Sequence, residues 1–187
     1  MGQGSVSHAL TSVLIVDDTP QNLTILGELL QPFYQVRVAN SGERALRIVS
    51  TLPRPDIILL DVMMPGMDGY AVLERLRAGR ETRDIPVIFI TAMNAVEDET
   101  RGFALGAVDY ISKPVIPAIV LARIRTHLEL KQARDRLASQ NDWLEREVAR
   151  RMSENLLIGH RHREPSPSGA KVPHLGATPW AKRRRAG

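Results

Sequence analysis

From Ser12 to about Leu130, short apolar runs alternate with amphipathic segments. Val13-Leu14-Ile15-Val16 is a compact run that ends in Asp17-Asp18. Ile57-Ile58-Leu59-Leu60 ends in Asp61, and Val87-Ile88-Phe89-Ile90 ends in Thr91. Gln35 to Ala39 is a weaker candidate strand. Ala107 to Ile111 is a fifth, shortly before Lys113-Pro114. Runs that are apolar at every position, without alternation, predict strands covered on both faces, as in a parallel sheet.

Helical patterns lie between these runs. Gln21 to Leu30 places Leu23, Leu26, Leu29 and Leu30 on one face, with Thr19 or Pro20 at its start. Ser41 is a candidate cap for a helix holding Ala45, Leu46, Ile48 and Val49. Asp68 is a candidate cap for another, with Tyr70, Val72, Leu73 and Leu76 along it and Gly79 as its stop. Val96 to Leu105 makes a fourth helix. Strand–helix alternation implies right-handed crossovers and an α/β fold with a doubly wound, five-stranded parallel sheet. The ligand site of such a sheet lies at the carboxyl ends of its strands.

A long helical stretch follows, from Pro117 to about Leu157, with no Gly or Pro between Ala118 and Ile158. At roughly 40 residues it would extend about 60 Å, more than a small domain can cover. Leu130, Leu137 and Leu144 recur every seven residues, with His127, Arg134, Asn141 and Val148 as facing positions. A short parallel coiled coil, and hence a homodimer through this helix, is one reading. A solvated helix is the other. The predicted organisation is a flexible N-terminus over 1–11, a folded domain over 12–130, an extended helix over 131–158 and a disordered basic tail over 159–187, where Pro and Gly recur.

Composition narrows the function classes. Of 187 residues, 43% are hydrophobic and 25% charged, with no cysteine, which excludes thiol nucleophiles, disulfide scaffolds and cysteine zinc sites. No apolar run approaches the length of a membrane span, and Met1 to Ser12 lacks the pattern of a secretory signal. The expectation is a soluble, cytoplasmic protein with no membrane partner. Residues 160–187 hold seven Lys/Arg against the single acid Glu164, whereas the rest of the chain carries slightly more acids than bases. The basic character belongs to the tail. The run Lys182 to Arg185 beside Trp180 could hold phosphates electrostatically, but no recognition element accompanies it, so nucleic acid is not an expected partner.

In a parallel sheet the ends of these strands meet on one edge. Asp17, Asp18 and Asp61 would then crowd together and repel, with Thr91 and Lys113 beside them. A hard divalent cation relieves that repulsion, and Mg2+ suits a few carboxylates plus water. The evident use of such a site is to bind a phosphoryl group, its oxygens neutralised by the metal and an ammonium, while a carboxylate oxygen attacks phosphorus. Gly66 and Gly69 read as turn glycines. None of the five histidines sits in a metal-ligand pattern.

The string Asp61-Val62-Met63-Met64-Pro65-Gly66-Met67-Asp68-Gly69, taken with Asp17-Asp18, Thr91-Ala92 and Lys113-Pro114, resembles the receiver domain of two-component response regulators over about residues 12–130. The resemblance implies a flavodoxin-like fold and a set of roles. Asp61 would be the phosphoacceptor. Asp18 and Asp61 would ligate Mg2+ directly, Asp17 through water, and the backbone carbonyl of Met63 would be a further ligand. Lys113 would pair with a phosphoryl oxygen and Thr91 would hydrogen-bond the phosphoryl group. Tyr110 would be the switch aromatic that moves with Thr91, and the Lys113–Pro114 bond is commonly cis in the family. The partner implied is a sensor histidine kinase or phosphotransfer protein, and the receiver itself is not expected to be an enzyme with an effector reaction.

Leu121 to Leu130, continuing through Leu144 to Arg151, resembles the signalling helix that follows the receiver in cyclic-di-GMP phosphodiesterases of the HD-GYP class. No Gly-Tyr-Pro string or His-Asp pair of that effector follows it. The alternative reading is therefore a truncated or frameshifted fragment of such a regulator, without output activity of its own. An aspartyl-nucleophile phosphatase is disfavoured, because Met63 stands where the second acid would be needed.

Overall fold

The computed structural model describes residues 11–92 and 96–161, apart from the side chains of 96–99 and 155–161. Of the flexible N-terminus expected over 1–11 all but Thr11, and of the tail expected over 159–187 everything from 162 onward with its Lys182 to Arg185 run, lie outside the described residues, while 159–161 are helical rather than part of a tail. The order is β1 (Ser12–Val16), α1 (Pro20–Leu30), β2 (Gln35–Ala39), α2 (Gly42–Val49), β3 (Ile57–Asp61), α3 (Gly69–Ala78), β4 (Val87–Thr91), α4 (Val96–Ala104), β5 (Asp109–Ser112) and α5 (Pro117–Arg161). Contacts divide the chain into two units, Met1–Ser139 and Gln140–Gly187.

The first unit is the expected doubly wound sheet, with strand order β2-β1-β3-β4-β5 and every pairing parallel. Its two faces explain the unbroken apolar runs. Leu14, Val16, Ile58, Leu60, Val87 and Phe89 pack with Ala45 and Val49 of α2 and with Val72, Leu73 and Leu76 of α3. The intervening Val13, Ile15, Ile57, Leu59, Ile88 and Ile90 pack with Leu26 and Leu30 of α1 and with Val120, Ile124 and Leu128 of α5. Each such buried Val, Leu, Ile or Phe side chain contributes about 1.5–3 kcal/mol of apolar burial. Edge strand β2 is covered less, which is why its sequence signal is weak.

Local chemistry sets the helix ends. Ser41 Oγ accepts from the Arg44 amide at 3.2 Å and Asp68 Oδ1 from the Ala71 amide at 2.7 Å, so both expected caps form. Pro20 opens α1 at a position where its missing N–H costs nothing. Gly79 ends α3 in an extended conformation, with its amide bonded to the Arg75 carbonyl.

Two boundaries differ from expectation. Strand β5 begins at Asp109 rather than Ala107, because the amides of Leu105, Gly106 and Ala107 turn back onto Arg101, Phe103 and Gly102 to close α4. Helix α5 runs to Arg161, a few residues past the expected Leu157. Burial on α5 stops at Leu128, and Leu130 and Leu137 are 60% and 61% exposed. In the second unit Trp143, Leu144, Val148 and Met152 are likewise exposed, and Glu147 pairs with Arg150 and Arg151. No helix among the described residues is long and apolar enough to cross a membrane.

Candidate functional site

The chain passes from β1 outward to β2 and then returns across β1 to build β3. Connections on either side of that reversal diverge, leaving a crevice at the carboxyl edge between β1 and β3. Val16 pairs with Leu60, so Asp17 and Asp61 stand level across it. Asp61 is the last residue of β3 and Thr91 the last of β4, while Lys113 follows β5.

The expected residues converge. Carboxylate oxygens of Asp17, Asp18 and Asp61 lie within 4.8 Å of one another. Asp17 and Asp61 are 1% and 4% exposed, and Asp18 stands closer to solvent. Lys113 Nζ bridges the two buried acids, 2.8 Å from Asp17 Oδ2 and 2.7 Å from Asp61 Oδ2. The Met63 amide donates to Asp61 Oδ1 at 3.2 Å, and the exposed Met63 side chain takes no part. Thr91 is buried, and its carbonyl accepts from the Lys113 amide at 2.9 Å. The Lys113–Pro114 peptide is cis.

Asn22 was not singled out from the sequence, yet it organises the site. Its Nδ2 lies 3.0 Å from both oxygens of Asp17, and the Thr19 amide donates to Asp17 Oδ1 at 2.9 Å. The only sequence signal is its place on the first turn of α1, five residues after Asp17. The glycines differ in role. Gly66 occupies the left-handed region at φ 77, as a turn glycine does. Gly69 instead opens α3 against the Asp61 loop, where a Cβ would come within 2.8 Å of Val62 Cα.

Electrostatics follow from this packing. Burial pushes the Asp61 carboxyl up, and the charge of Asp17 adds to that; Lys113 and the Met63 amide pull it down without cancelling the rise. Burial also works against the Lys113 ammonium, but its bonds to Asp17 and Asp61 hold it above the ordinary lysine value. The donor set is wholly oxygen and carries more negative charge than one lysine balances, which fits a hard divalent cation such as Mg2+ and not a softer metal.

Tyr110 pairs with Phe89 across β4 and β5, two residues before the Thr91–Ser112 pair. Its ring is 9% exposed, packed 5.1 Å from Phe89 and 5.3 Å from Phe103 between centroids. Thr91 and Tyr110 share the lining of a cavity of about 230 Å3. His127 Nε2 lies 3.0 Å from Asp109 Oδ2.

A parallel sheet of this order, with three acids and a lysine at its switch point, is the arrangement expected of a receiver domain. The response regulator receiver domain model matches residues 13–125, and the chain belongs to that family. It is 45% identical over 143 residues to a probable cyclic di-GMP phosphodiesterase of Vibrio cholerae, covering 76% of this chain and 32% of that protein. It is 40% identical to the response regulator PleD of Caulobacter vibrioides, covering 67% of this chain and 28% of that one. The chain thus spans about a third or less of the length of these curated relatives. Among solved structures, the receiver domain of the sensor histidine kinase PA1611 from Pseudomonas aeruginosa PAO1, with magnesium coordinated in its active site cleft, matches with a TM-score of 0.60 and 30% identity over 65% of this chain and 99% of that one.

Proposed function

We propose that Asp61 accepts a phosphoryl group from the phosphohistidine of a sensor histidine kinase or phosphotransfer protein. The single observation that carries this reading is the Asp61 carboxylate, buried at the strand edge with Lys113 Nζ at 2.7 Å and two further acids beside it. Asp17, Asp18, Asp61 and the Met63 backbone carbonyl would hold Mg2+, which supplies charge neutralisation to the transferring group. An Asp61 oxygen forms the bond to phosphorus as the phosphorus–nitrogen bond to the donor imidazole breaks. Lys113 steadies a phosphoryl oxygen, and Thr91 offers its hydroxyl to another. Met63 would contribute through its main-chain carbonyl, its side chain being exposed. Beside the site, Ile25, Leu26, Pro114 and Val115 line a cavity of about 260 Å3, an apolar ledge where the donor protein would dock.

Residues 12–130 would then act as the receiver and 131–158 as a signalling helix that pairs in parallel with a second copy. The exposed Leu130, Leu137 and Leu144, 60%, 61% and 51% accessible at seven-residue spacing, support that pairing. The setting would be the cytoplasm, where the donor phosphohistidine is made.

Acetyl phosphate with Mg2+ should label the chain in a phosphate-affinity gel. Labelling should vanish in Asp61→Asn and in EDTA. Sedimentation of the same samples should show a larger species on labelling. A labelled Asp61→Asn would refute the acceptor assignment, and a monomer in both states would refute the pairing.

A further inference from the structure

The inward ring of Tyr110 closely approaches one residue of α4. Its ring lies directly over Gly102. A Cβ built on Gly102 would overlap the Tyr110 hydroxyl outright, and would stand 2.6 Å from Cζ and 2.9 Å from Cε2. Ordinary carbon–carbon contact needs about 3.5–4.0 Å. Retreat toward the sheet is closed, because fully buried Phe89 backs the ring on that side, while half-exposed Phe103 packs edge-on at 60°. The open direction is the cavity of about 230 Å3 that Tyr110 lines together with Thr91, Ile116 and Ile119.

We infer that Gly102 is the seat of Tyr110: the absence of a side chain there makes the buried ring position available, and so sets the balance between buried and outward rings. In this inference, which rests on the reading of Tyr110 as the switch aromatic, Gly102 is a positioning residue acting through Tyr110. A methyl group at 102 penalises only the buried position. Overpacking of a core slot of this kind shifts such an equilibrium by about tenfold or more. The glycine is not required by backbone conformation, since it lies within α4 and shows no left-handed φ. Replacing an interior helical glycine by alanine normally stabilises the helix. The sign of its effect is therefore diagnostic.

The test uses the full chain labelled with 3-fluorotyrosine, whose three tyrosines give separable 19F signals, with that of Tyr110 assigned by Tyr110→Phe. Without phosphodonor, the parent should show a Tyr110 signal with little solvent-isotope shift. In Gly102→Ala that signal should move to the full shift of an exposed ring, while those of Tyr34 and Tyr70 stay. Gly102→Ala should lower the Tm of the parent and raise it in a Tyr110→Ala background. If Gly102→Ala fails to fold, the second background decides: recovery there supports the seat, and failure in both overturns it. A Tyr110 signal that stays buried in Gly102→Ala, or an equal loss of Tm in both backgrounds, also overturns it. Acetyl phosphate labelling is followed in parallel. Its absence from the parent would defeat the phosphoacceptor reading and leave the ring measurement standing on its own.

Discussion

Lys113→Met is the sharpest probe of the charge balance. The substitution keeps most of the aliphatic stem and removes the ammonium that bridges Asp17 and Asp61 at 2.8 and 2.7 Å. It leaves two carboxylates, 1% and 4% exposed, with oxygens no more than 4.8 Å apart. At an effective dielectric constant of about 20, two unit charges at that separation repel by about 3.5 kcal/mol. Removing one partner from a buried ion pair typically costs about 3–5 kcal/mol. The two routes agree on a loss of about 3 kcal/mol, or a Tm lowered by about 10 °C for a domain of this size. Urea unfolding followed by circular dichroism in EDTA at pH 7.5 measures it. Magnesium at one fixed concentration, a hundred times the parent's Kd, stabilises the parent by about 2.7 kcal/mol. The gain should be larger in the variant, where no ammonium competes for the same oxygens. A variant within about 0.5 kcal/mol of the parent in EDTA, or an equal magnesium gain in both proteins, would refute the view that Lys113 compensates a built-in excess of negative charge.

Two further substitutions test the supporting groups. Asn22→Ala removes the amide that grips both Asp17 oxygens, and should weaken Mg2+ binding about tenfold in titration calorimetry while the fold persists; unchanged affinity would show that Asn22 does not orient the ligand. Burial would raise the Asp109 carboxyl, but Arg123, His127 and the Tyr110 amide outweigh it and hold the group below the ordinary carboxylate value. The folded state thus releases its proton at lower pH than the unfolded state, so the stabilisation is complete above the unfolded value of about 3.9 and is lost as pH falls through the folded one. Asp109→Asn should cost about 2 kcal/mol at pH 7, and the gap between the two proteins should shrink as pH falls below the ordinary carboxylate range. A gap independent of pH would assign the loss to packing instead.

The sheet was legible because each of the inner strands β1, β3 and β4 carries two cores at once. Leu14 and Ile15 serve opposite faces, so neither face can accept a polar residue, and the run stays apolar until it reaches the edge where Asp17 begins. The site was legible for the same reason: acids placed immediately after such runs have to meet at the carboxyl edge of a parallel sheet. Asn22 and Gly102 were not. Their roles depend on how closely α1 approaches Asp17 and α4 approaches β5, distances that no spacing encodes. The length of α5 was visible in its lack of Gly and Pro; Leu130 is exposed although Leu128 is buried because two residues turn the helix about 200°, onto the side away from Val120 and Ile124.

Stability and switching draw on different parts of this molecule. The apolar cores tolerate a crowded acidic edge, and the edge has its ammonium only because β5 delivers Lys113 to it. The same strand carries Tyr110. On the proposed reading, a phosphoryl group on Asp61 brings new oxygens to Lys113 and Thr91 while adding negative charge to a site already in excess. Lys113 must then share its bonds among more acceptors, and the Lys113 amide is bonded to the Thr91 carbonyl at 2.9 Å. A change at the acceptor therefore bears on the ends of β4 and β5 together, and Tyr110 lies two residues from one of those ends. On the same reading, the aromatic seat at Gly102 is where that local electrostatic change becomes a difference in the shape of the α4–β5 face, because the Tyr110 ring fills space that only a glycine at 102 leaves open.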